Sequence, residues 1–197
     1  MATTIPIPTK TIIRHDMLAE RKALSAHFVQ EKSDSIIQYL SALPLYQAAK
    51  NIGLYQAIHN EVNLNTLWQN AEHAGKKTFF PVINSDKNNK ILRFLEAPFS
   101  QKNTLSCSRF GILEPPPQSL EISIDDLDCL LIPLVAFDKK GYRLGMGAGY
   151  YDQTLCHKKP FYCIGIAYAF QVIEQLPRDS WDIPLNIIIT ETGIQYF

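Results

Sequence analysis

The chain contains 197 residues, of which 46% are hydrophobic and 19% charged, and its formal net charge at pH 7 is +0. This size and composition predict one globular domain over residues 1–197, since domains commonly hold roughly 100–200 residues. A neutral chain offers no broad attraction to nucleic acid or an anionic membrane, and its longest apolar run, CLLIPLVAF, is too short to span a bilayer.

The first residues and the cysteines indicate a cellular compartment. The opening MATTIPIPTK lacks the basic segment followed by an apolar stretch that an export signal requires. The four cysteines form no C-x-x-C pair. We therefore expect a soluble cytoplasmic protein with reduced thiols.

The first half of the chain predicts two helices followed by alternating strands and helices. An amphipathic helix over residues 9–30 precedes a second helix over 35–43, which ends before Pro44 because the position before a proline disfavours helical geometry. Three strands and one helix follow, with strands over 51–58, 77–83 and 90–97 and a helix over 63–75.

The second half of the chain predicts a parallel sheet. The nearly continuous apolar segment 126–137 is typical of a strand buried on both faces. A short helix over 150–158 and two strands over 161–169 and 186–194 complete the series. Strands that alternate with helices predict an α/β fold, a mainly parallel sheet covered on both faces, with ligands at the carboxyl ends of its strands.

A glycine-rich loop lies in DKKGYRLGMGAGYYDQTL, residues 138–155. Gly145, Gly147 and Gly149 form G-x-G-x-G, which differs from both the dinucleotide fingerprint and the P-loop motif. The loop follows a buried strand and Arg143 and precedes a helix, so its N–H groups could face one anion. The alternative is a tight turn whose glycines only permit positive φ.

Several charged residues are candidates for the same site. Asp152 lies in the first turn of the predicted helix, where it either complements the helix dipole or, if phosphates occupy the loop, helps to hold Mg²⁺. Lys10, Arg14 and Arg21 share one face of the first helix, which is either a phosphate-binding stripe or a solvated surface. Glu61 follows the first strand, where it binds a polar substrate group or is simply solvated.

Other chemistries are disfavoured. The five histidines show no metal-ligand spacing, and no G-x-S-x-G motif marks a nucleophilic serine. The sequence therefore disfavours both a metal-dependent hydrolase and a serine esterase.

Residues 130–155, LLIPLVAFDKKGYRLGMGAGYYDQTL, closely resemble the signature of the 5-formyltetrahydrofolate cyclo-ligase family, P-x-x-A/G-F-D followed by R-L-G-x-G-x-G-Y-Y-D. The resemblance extends to K-x-x-x-R at Lys10 and Arg14, to Glu61 after the first strand and to RFGILEP at 109–115. It implies a three-layer α/β/α sandwich with a Rossmann-like sheet. The implied reaction uses ATP and Mg²⁺ to convert 5-formyltetrahydrofolate, with or without a polyglutamate tail, to 5,10-methenyltetrahydrofolate, ADP and phosphate.

The resemblance also assigns roles. Arg143 and Asp152 are the expected catalytic residues, Asp152 is the expected metal ligand, and Glu61 and Tyr151 are expected to contact the folate. We expect a monomer with no nucleic-acid or membrane partner. The expected ATP site consists of Lys10, Arg14, Arg143, Leu144, Gly145, Met146, Gly147, Ala148, Gly149, Tyr150 and Asp152.

Three positions depart from the family pattern. Trp181 and Asp182 stand where many members have H-D, and Asn186 stands where an acid is frequent. Ala148 stands where some members have lysine, so we assign that position no phosphate contact. Two rival functions remain at this point, a sugar-phosphate isomerase of similar sheet architecture and a non-catalytic nucleotide-binding regulator.

Overall fold

The computed structural model describes residues 8–84, 86, 88–156, 160 and 162–197. Its helices are α1 (Lys10–Lys22), α2 (Ala26–Ala42), α3 (Pro44–Ala48), α4 (Asn65–His73) and α5 (Tyr150–Leu155). Its strands are β1 (Asn51–Gly53), β2 (Lys77–Val82), β3 (Arg93–Glu96), β4 (Ser106–Cys107), β5 (Leu113–Glu114), β6 (Glu121–Ile122), β7 (Cys129–Pro133), β8 (Ala136–Asp138), β9 (Arg143–Leu144), β10 (Tyr162–Ile166), β11 (Val172–Ile173), β12 (Ile187–Thr190) and β13 (Gly193–Tyr196).

The predicted helix over residues 9–30 is wrong as one continuous element. Helix α1 ends at Lys22, and α2 begins at Ala26. Ser25 separates them in extended conformation, and its Oγ accepts a hydrogen bond 3.1 Å long from the N–H of Phe28. A serine cap of this kind satisfies an N–H that has no partner within the helix, so a new helix starts at this point.

The main sheet has the strand order β13-β12-β10-β7-β1-β2-β3-β6. Its five central strands, from β12 to β2, run parallel, whereas β13, β3 and β6 pair antiparallel at the two edges. The predicted mainly parallel sheet is therefore confirmed. Its central strand β7 is buried over residues 129–132, as the apolar run requires.

Two of the predicted strands are divided in the structure. The segment 126–137 forms β7 and β8, and β8 belongs to a separate small sheet of order β11-β8-β9. The segment 186–194 forms β12 and the start of β13, which pair as an antiparallel hairpin. Periodicity cannot locate the first break, because apolar residues continue through it at Leu134 and Val135, whereas the second lies at the polar pair Glu191 and Thr192 before Gly193.

Helices cover the two faces of the main sheet unequally. Helices α2, α3 and α4 pack on one face, where Trp68 donates a 2.7 Å hydrogen bond to the carbonyl of Ala97 and its ring meets Phe80 edge-on. The opposite face carries the short helix α5 through Leu155. Helix α1 packs on the small sheet through Ile13. The described residues contain no helix long and apolar enough to cross a membrane.

Candidate active site

The glycine loop follows β9 of the small sheet and not the central strand β7, which corrects the predicted setting. Residues 145–148 are exposed, and α5 begins directly after Gly149. Gly147 and Gly149 have φ values of +102° and +78°, conformations that favour glycine, whereas Gly145 has no positive φ. At Gly145 and Gly149 a Cβ would meet open space. Two glycines thus shape the turn, and the backbone remains open to a ligand.

Arg14 lies against this loop. Its Nε donates a 2.8 Å hydrogen bond to the carbonyl of Gly145, although 131 residues separate the two in sequence. A Cβ placed on Gly147 would lie 3.3 Å from the guanidinium carbon of Arg14. The structure therefore brings together the predicted loop and one of its predicted cations.

Lys10 lies one turn earlier on α1, between two carboxylates. Its Nζ is 2.7 Å from Oδ2 of Asp179 and 2.7 Å from Oδ2 of Asp182. Partial burial lowers the pKa of Lys10, but its hydrogen bonds to the two carboxylates outweigh burial and raise that pKa overall. The ammonium group therefore stays charged, in a position set by the segment 179–182.

Arg143 and Asp152 form an ion pair behind the loop. Nη2 of Arg143 lies 2.6 Å from Oδ1 of Asp152, and Nη1 donates to the carbonyl of Ile183 at 2.7 Å. The Arg143 side chain is 3% exposed, whereas that of Asp152 is 30% exposed. Arg143 thus holds Asp152 from the protein side, and part of the carboxylate reaches solvent.

The charge of Glu61 acts on the hydroxyls of Tyr151 and Tyr55. Burial raises the pKa of the Tyr151 hydroxyl, and the negative charge of Glu61 raises it further, whereas the positive charge of Arg143 lowers it. The same carboxylate also raises the pKa of the buried Tyr55, for which burial is the larger cause. Tyr151 is therefore subject to the opposing charges of Glu61 and Arg143.

Arg21 is buried, which overturns the expectation of a stripe that continues along one solvated face. Its side chain is 2% exposed, and Nη2 lies 3.3 Å from Oε1 of Glu61. Nε donates to the carbonyl of His59 at 3.0 Å and Nη1 to that of Leu134 at 3.1 Å. Along this face of α1, Lys10 contacts the segment 179–182, Arg14 contacts the glycine loop, and Arg21 contacts the carbonyl of Leu134 just beyond β7.

Comparison with known proteins assigns this arrangement to a family. The model of the 5-formyltetrahydrofolate cyclo-ligase family matches residues 6–191. The chain belongs to this family. It is 36% identical to 5-formyltetrahydrofolate cyclo-ligase of Haemophilus influenzae over 183 residues, which cover 90% of this chain and 95% of the relative. The corresponding Escherichia coli K12 protein is 30% identical over 177 residues, 88% of this chain and 96% of the relative.

Two solved cyclo-ligase structures have the same fold. The Aquifex aeolicus 5,10-methenyltetrahydrofolate synthetase superposes with a TM-score of 0.82 at 34% identity, covering 95% of this chain and 92% of that one. The Mycoplasma pneumoniae synthetase gives 0.72 at 30% identity, covering 92% and 98% respectively. The resemblance and the α/β/α fold inferred from the sequence are confirmed.

Asp182, which follows the departure at Trp181, and Asn186, itself a departure from the cyclo-ligase pattern, have structural roles. Oδ2 of Asp182 accepts hydrogen bonds from Lys10 and from the N–H of Asp179, at 2.7 and 2.8 Å. Oδ1 of Asn186 accepts from the N–H of Cys163 at 2.7 Å and so joins β12 to β10. Trp181 is 64% exposed on the loop that holds Lys10.

Sequence reasoning missed residues that support the site. Asp138 is fully buried, and its Oδ1 accepts from the N–H groups of Lys140 and Tyr142 at 2.9 and 3.1 Å, which shapes the hairpin before the glycine loop. Its Oδ2 lies 2.9 Å from Nη2 of Arg178. Asp138 could have been identified from its place in the family motif. No motif marks Asp179, which pairs with Lys10.

Asp152 fits a metal ion that is bound mainly through phosphates. Within the described residues, no group of three histidine, cysteine, aspartate or glutamate side chains could hold a metal by itself. A single partly exposed carboxylate is what Mg²⁺ requires when phosphate oxygens and water supply its other ligands.

Proposed function

We propose that this chain catalyses the ATP-dependent cyclisation of 5-formyltetrahydrofolate to 5,10-methenyltetrahydrofolate, with release of ADP and phosphate. One observation carries the proposal beyond family membership. Charged groups from two parts of the chain lie around the glycine loop, since Arg14 donates to the carbonyl of Gly145 at 2.8 Å and Arg143 pairs with Asp152 of α5 at 2.6 Å. This arrangement supports phosphate binding at the loop, and Tyr151, which precedes Asp152 in α5, supports a folate site beside it.

The glycine loop and the cations around it form the ATP-binding half. Lys10 and Arg14 neutralise phosphate charge from α1, and the main-chain amides of Gly145 to Gly149 donate to phosphate oxygens, with no contact assigned to Ala148. Arg143 neutralises charge from behind the loop through its pair with Asp152. Asp152 is the residue that would hold Mg²⁺, which would supply neutralisation of phosphate charge.

Glu61 and Tyr151 form the folate-binding half, through polar contacts and ring contact respectively. A formamide carbon is a poor electrophile and its oxygen a poor leaving group. Transfer of the γ-phosphoryl group of ATP to the formyl oxygen, with release of ADP, removes both difficulties, after which N10 attacks the carbon, gives up its proton and displaces phosphate. The protein mainly positions the reactants and neutralises charge. No general base is required, because N10 is an amine that attacks directly.

The proposal extends to the state of the enzyme. We propose a single-domain monomer that acts in the cytoplasm, on substrate with or without a polyglutamate tail. The exposed free thiols of Cys107 and Cys156 suit a reducing compartment.

An isotope experiment tests the chemistry. Substrate that carries ¹⁸O in the formyl group should deliver the label to inorganic phosphate as the methenyl product forms, with one ATP consumed for each ring closed. A regulator would form no methenyl product, and a sugar-phosphate isomerase would leave ATP intact. Label in water with unlabelled phosphate would refute phosphoryl transfer and the roles of Arg143 and Asp152 in it.

A further inference from the structure

Arg21 is placed to act on the folate site without reaching the substrate. Its guanidinium is buried and bonded to two carbonyl groups and to Glu61, so no face of it is available to a ligand. A buried ion pair is weak support for stability, because an apolar pair of similar volume often stabilises a fold equally well. The role of the Arg21–Glu61 pair therefore lies in orienting the Glu61 carboxylate.

The turn that carries Glu61 is fixed from both sides. Within the described part of the chain, His59 and Asn60 are the non-glycine residues with left-handed φ, at 48° and 59°. Such values are uncommon and persist where surrounding contacts determine the backbone. Nδ2 of Asn60 donates to the carbonyls of Arg21, Lys22 and Leu24 at 3.2–3.4 Å. Asn60 thus ties the turn to the end of α1.

The two oxygens of Glu61 have different partners. Oε1 accepts from Arg21, and Oε2 accepts from the N–H of Ile58 at 3.1 Å. Arg21 also donates to the carbonyl of Leu134, just beyond β7, which receives a second hydrogen bond from Gln171 at 2.9 Å. Arg21 therefore connects the Glu61 turn to the carboxyl end of the central strand.

We propose that Arg21 is a positioning residue for folate: it fixes the Glu61 carboxylate and the 58–61 turn in the orientation that receives the substrate. This inference rests on the proposed function, in which Glu61 contacts the folate. Burial raises the pKa of Glu61 and Arg21 opposes that rise, while the charge of Glu61 adds to burial in raising the pKa of the Tyr55, Tyr151 and Tyr168 hydroxyls.

The test is a double-mutant cycle on folate kinetics. Arg21→Lys keeps the charge but lacks the planar fork whose three nitrogens reach His59, Leu134 and Glu61, and should raise the KM for 5-formyltetrahydrofolate about tenfold, with less than about twofold change in the KM for ATP. In a Glu61→Gln background the same substitution should change the folate KM less than about twofold, because the group that it orients is already altered. An equal effect in both backgrounds overturns the proposal.

Two variants separate positioning from loss of stability. Trp68→Phe removes hydrogen bonds from α4 to Ala97 and Thr78, and should lower the melting temperature without changing the folate KM. Asn60→Gly keeps the left-handed backbone but removes the ties to α1, and should raise the folate KM even if Arg21→Lys does not fold. An unchanged folate KM in Asn60→Gly and in any folded Arg21→Lys overturns the proposal.

The wild-type enzyme distinguishes a failed inference from a failed function. Absence of methenyl product with ATP and 5-formyltetrahydrofolate refutes the proposed function. Binding of 5-formyltetrahydrofolate alone, measured by equilibrium dialysis, then tests Arg21 independently of turnover. Weaker binding in Arg21→Lys supports the positioning role, and equal binding refutes it.

Discussion

Arg14 reaches the glycine loop from α1, so its removal tests the ATP-binding half of the site. Arg14→Ala should raise the KM for ATP about tenfold, since hydrogen bonds to charged groups contribute about 1.5–3 kcal/mol. The KM for 5-formyltetrahydrofolate should change little. Steady-state kinetics with each substrate varied in turn measure both constants.

Lys22 provides the matched control on the same helix. Lys22 is a basic residue of α1 that is exposed, unlike Arg21, and lies outside the proposed site. Lys22→Ala should leave both KM values unchanged, because Lys22 is an exposed charge outside the proposed site. Equal effects of Arg14→Ala and Lys22→Ala on the KM for ATP would show that Arg14 is only a solvated surface charge.

Glu61 predicts the pH dependence of folate use. Burial raises its pKa above the ordinary value of 4.5, although Arg21 and the N–H of Ile58 oppose the rise. If the carboxylate binds folate, kcat/KM for 5-formyltetrahydrofolate should fall as the pH decreases through this raised pKa, starting above pH 4.5. The pH profile of Glu61→Gln should lack this acid limb, and a limb that persists would assign it to another group.

The raised pKa of Glu61 also affects stability, but in the opposite direction, since a lower pH favours the folded state while it disfavours folate use. The folded state binds the proton of Glu61 more tightly than the unfolded chain does, because its folded pKa is the higher of the two. The contribution of Glu61 to the free energy of unfolding is therefore largest below pH 4.5 and is lost as the pH rises through the folded pKa. Denaturant titrations of wild type and Glu61→Gln across this range measure the difference.

Residue types and spacing predict which side chains share a face, but not what that face meets. Lys10, Arg14 and Arg21 do share a face of α1, as the helical period requires. Their three environments come from segments more than 30 residues away, including Asp179 and Glu61. The burial of Arg21 therefore could not be predicted, since a cation at this spacing is usually solvated.

At the level of elements, a substitution in the glycine loop tests whether the backbone of the loop binds phosphate. Gly147→Val places a β-branched side chain at φ +102° and 3.3 Å from the guanidinium of Arg14. Activity should be lost, and the variant, although folded, should show no rise in melting temperature with MgATP, because only a ligand that binds the native state stabilises it. Thermal melts with increasing MgATP provide the measurement.

Gly75 is the control for backbone strain. It has φ +72° after α4, and a Cβ there meets open space. Gly75→Val should therefore destabilise the fold through conformation alone and keep the MgATP response. A wild-type melting temperature that ignores MgATP would contradict the loop site itself.

The break between α1 and α2 depends on the Ser25 cap. Ser25→Ala should lower the free energy of unfolding by about 1 kcal/mol, because the N–H of Phe28 loses its partner. Activity should be unchanged, since the cap lies outside the proposed site. Chemical denaturation of wild type and variant checks the value, and an unchanged midpoint would show that the helix starts without the cap.

At the level of the whole molecule, the mainly parallel sheet and the family followed from the sequence, whereas the order of the strands and the sheet that precedes the glycine loop did not. Alternating apolar segments predict a parallel sheet, and the motif around residues 138–155 predicts the family. The small sheet was missed because one apolar segment supplies both β7 and β8, with only Leu134 and Val135 between them. Local periodicity carries no information about which sheet a strand joins.

A single cooperative unfolding transition is expected if the chain is one domain. Helices α2, α3 and α4 pack on a sheet whose strands come from both halves of the sequence, so neither half retains a complete core alone. Heating should give coincident midpoints by circular dichroism and by the fluorescence of buried Trp68. Two separated transitions would refute the single domain.

The contrast between the two tryptophans gives the protein its own optical reporters. Trp68 is 3% exposed, whereas Trp181 is 64% exposed and lies between Asp179 and Asp182, which hold Lys10. Acrylamide should therefore quench Trp181 selectively in the folded protein. If phosphates draw Lys10 from its carboxylates, that collisional quenching changes on ATP binding while the emission of Trp68 stays constant. Nucleotide occupancy becomes readable without a label.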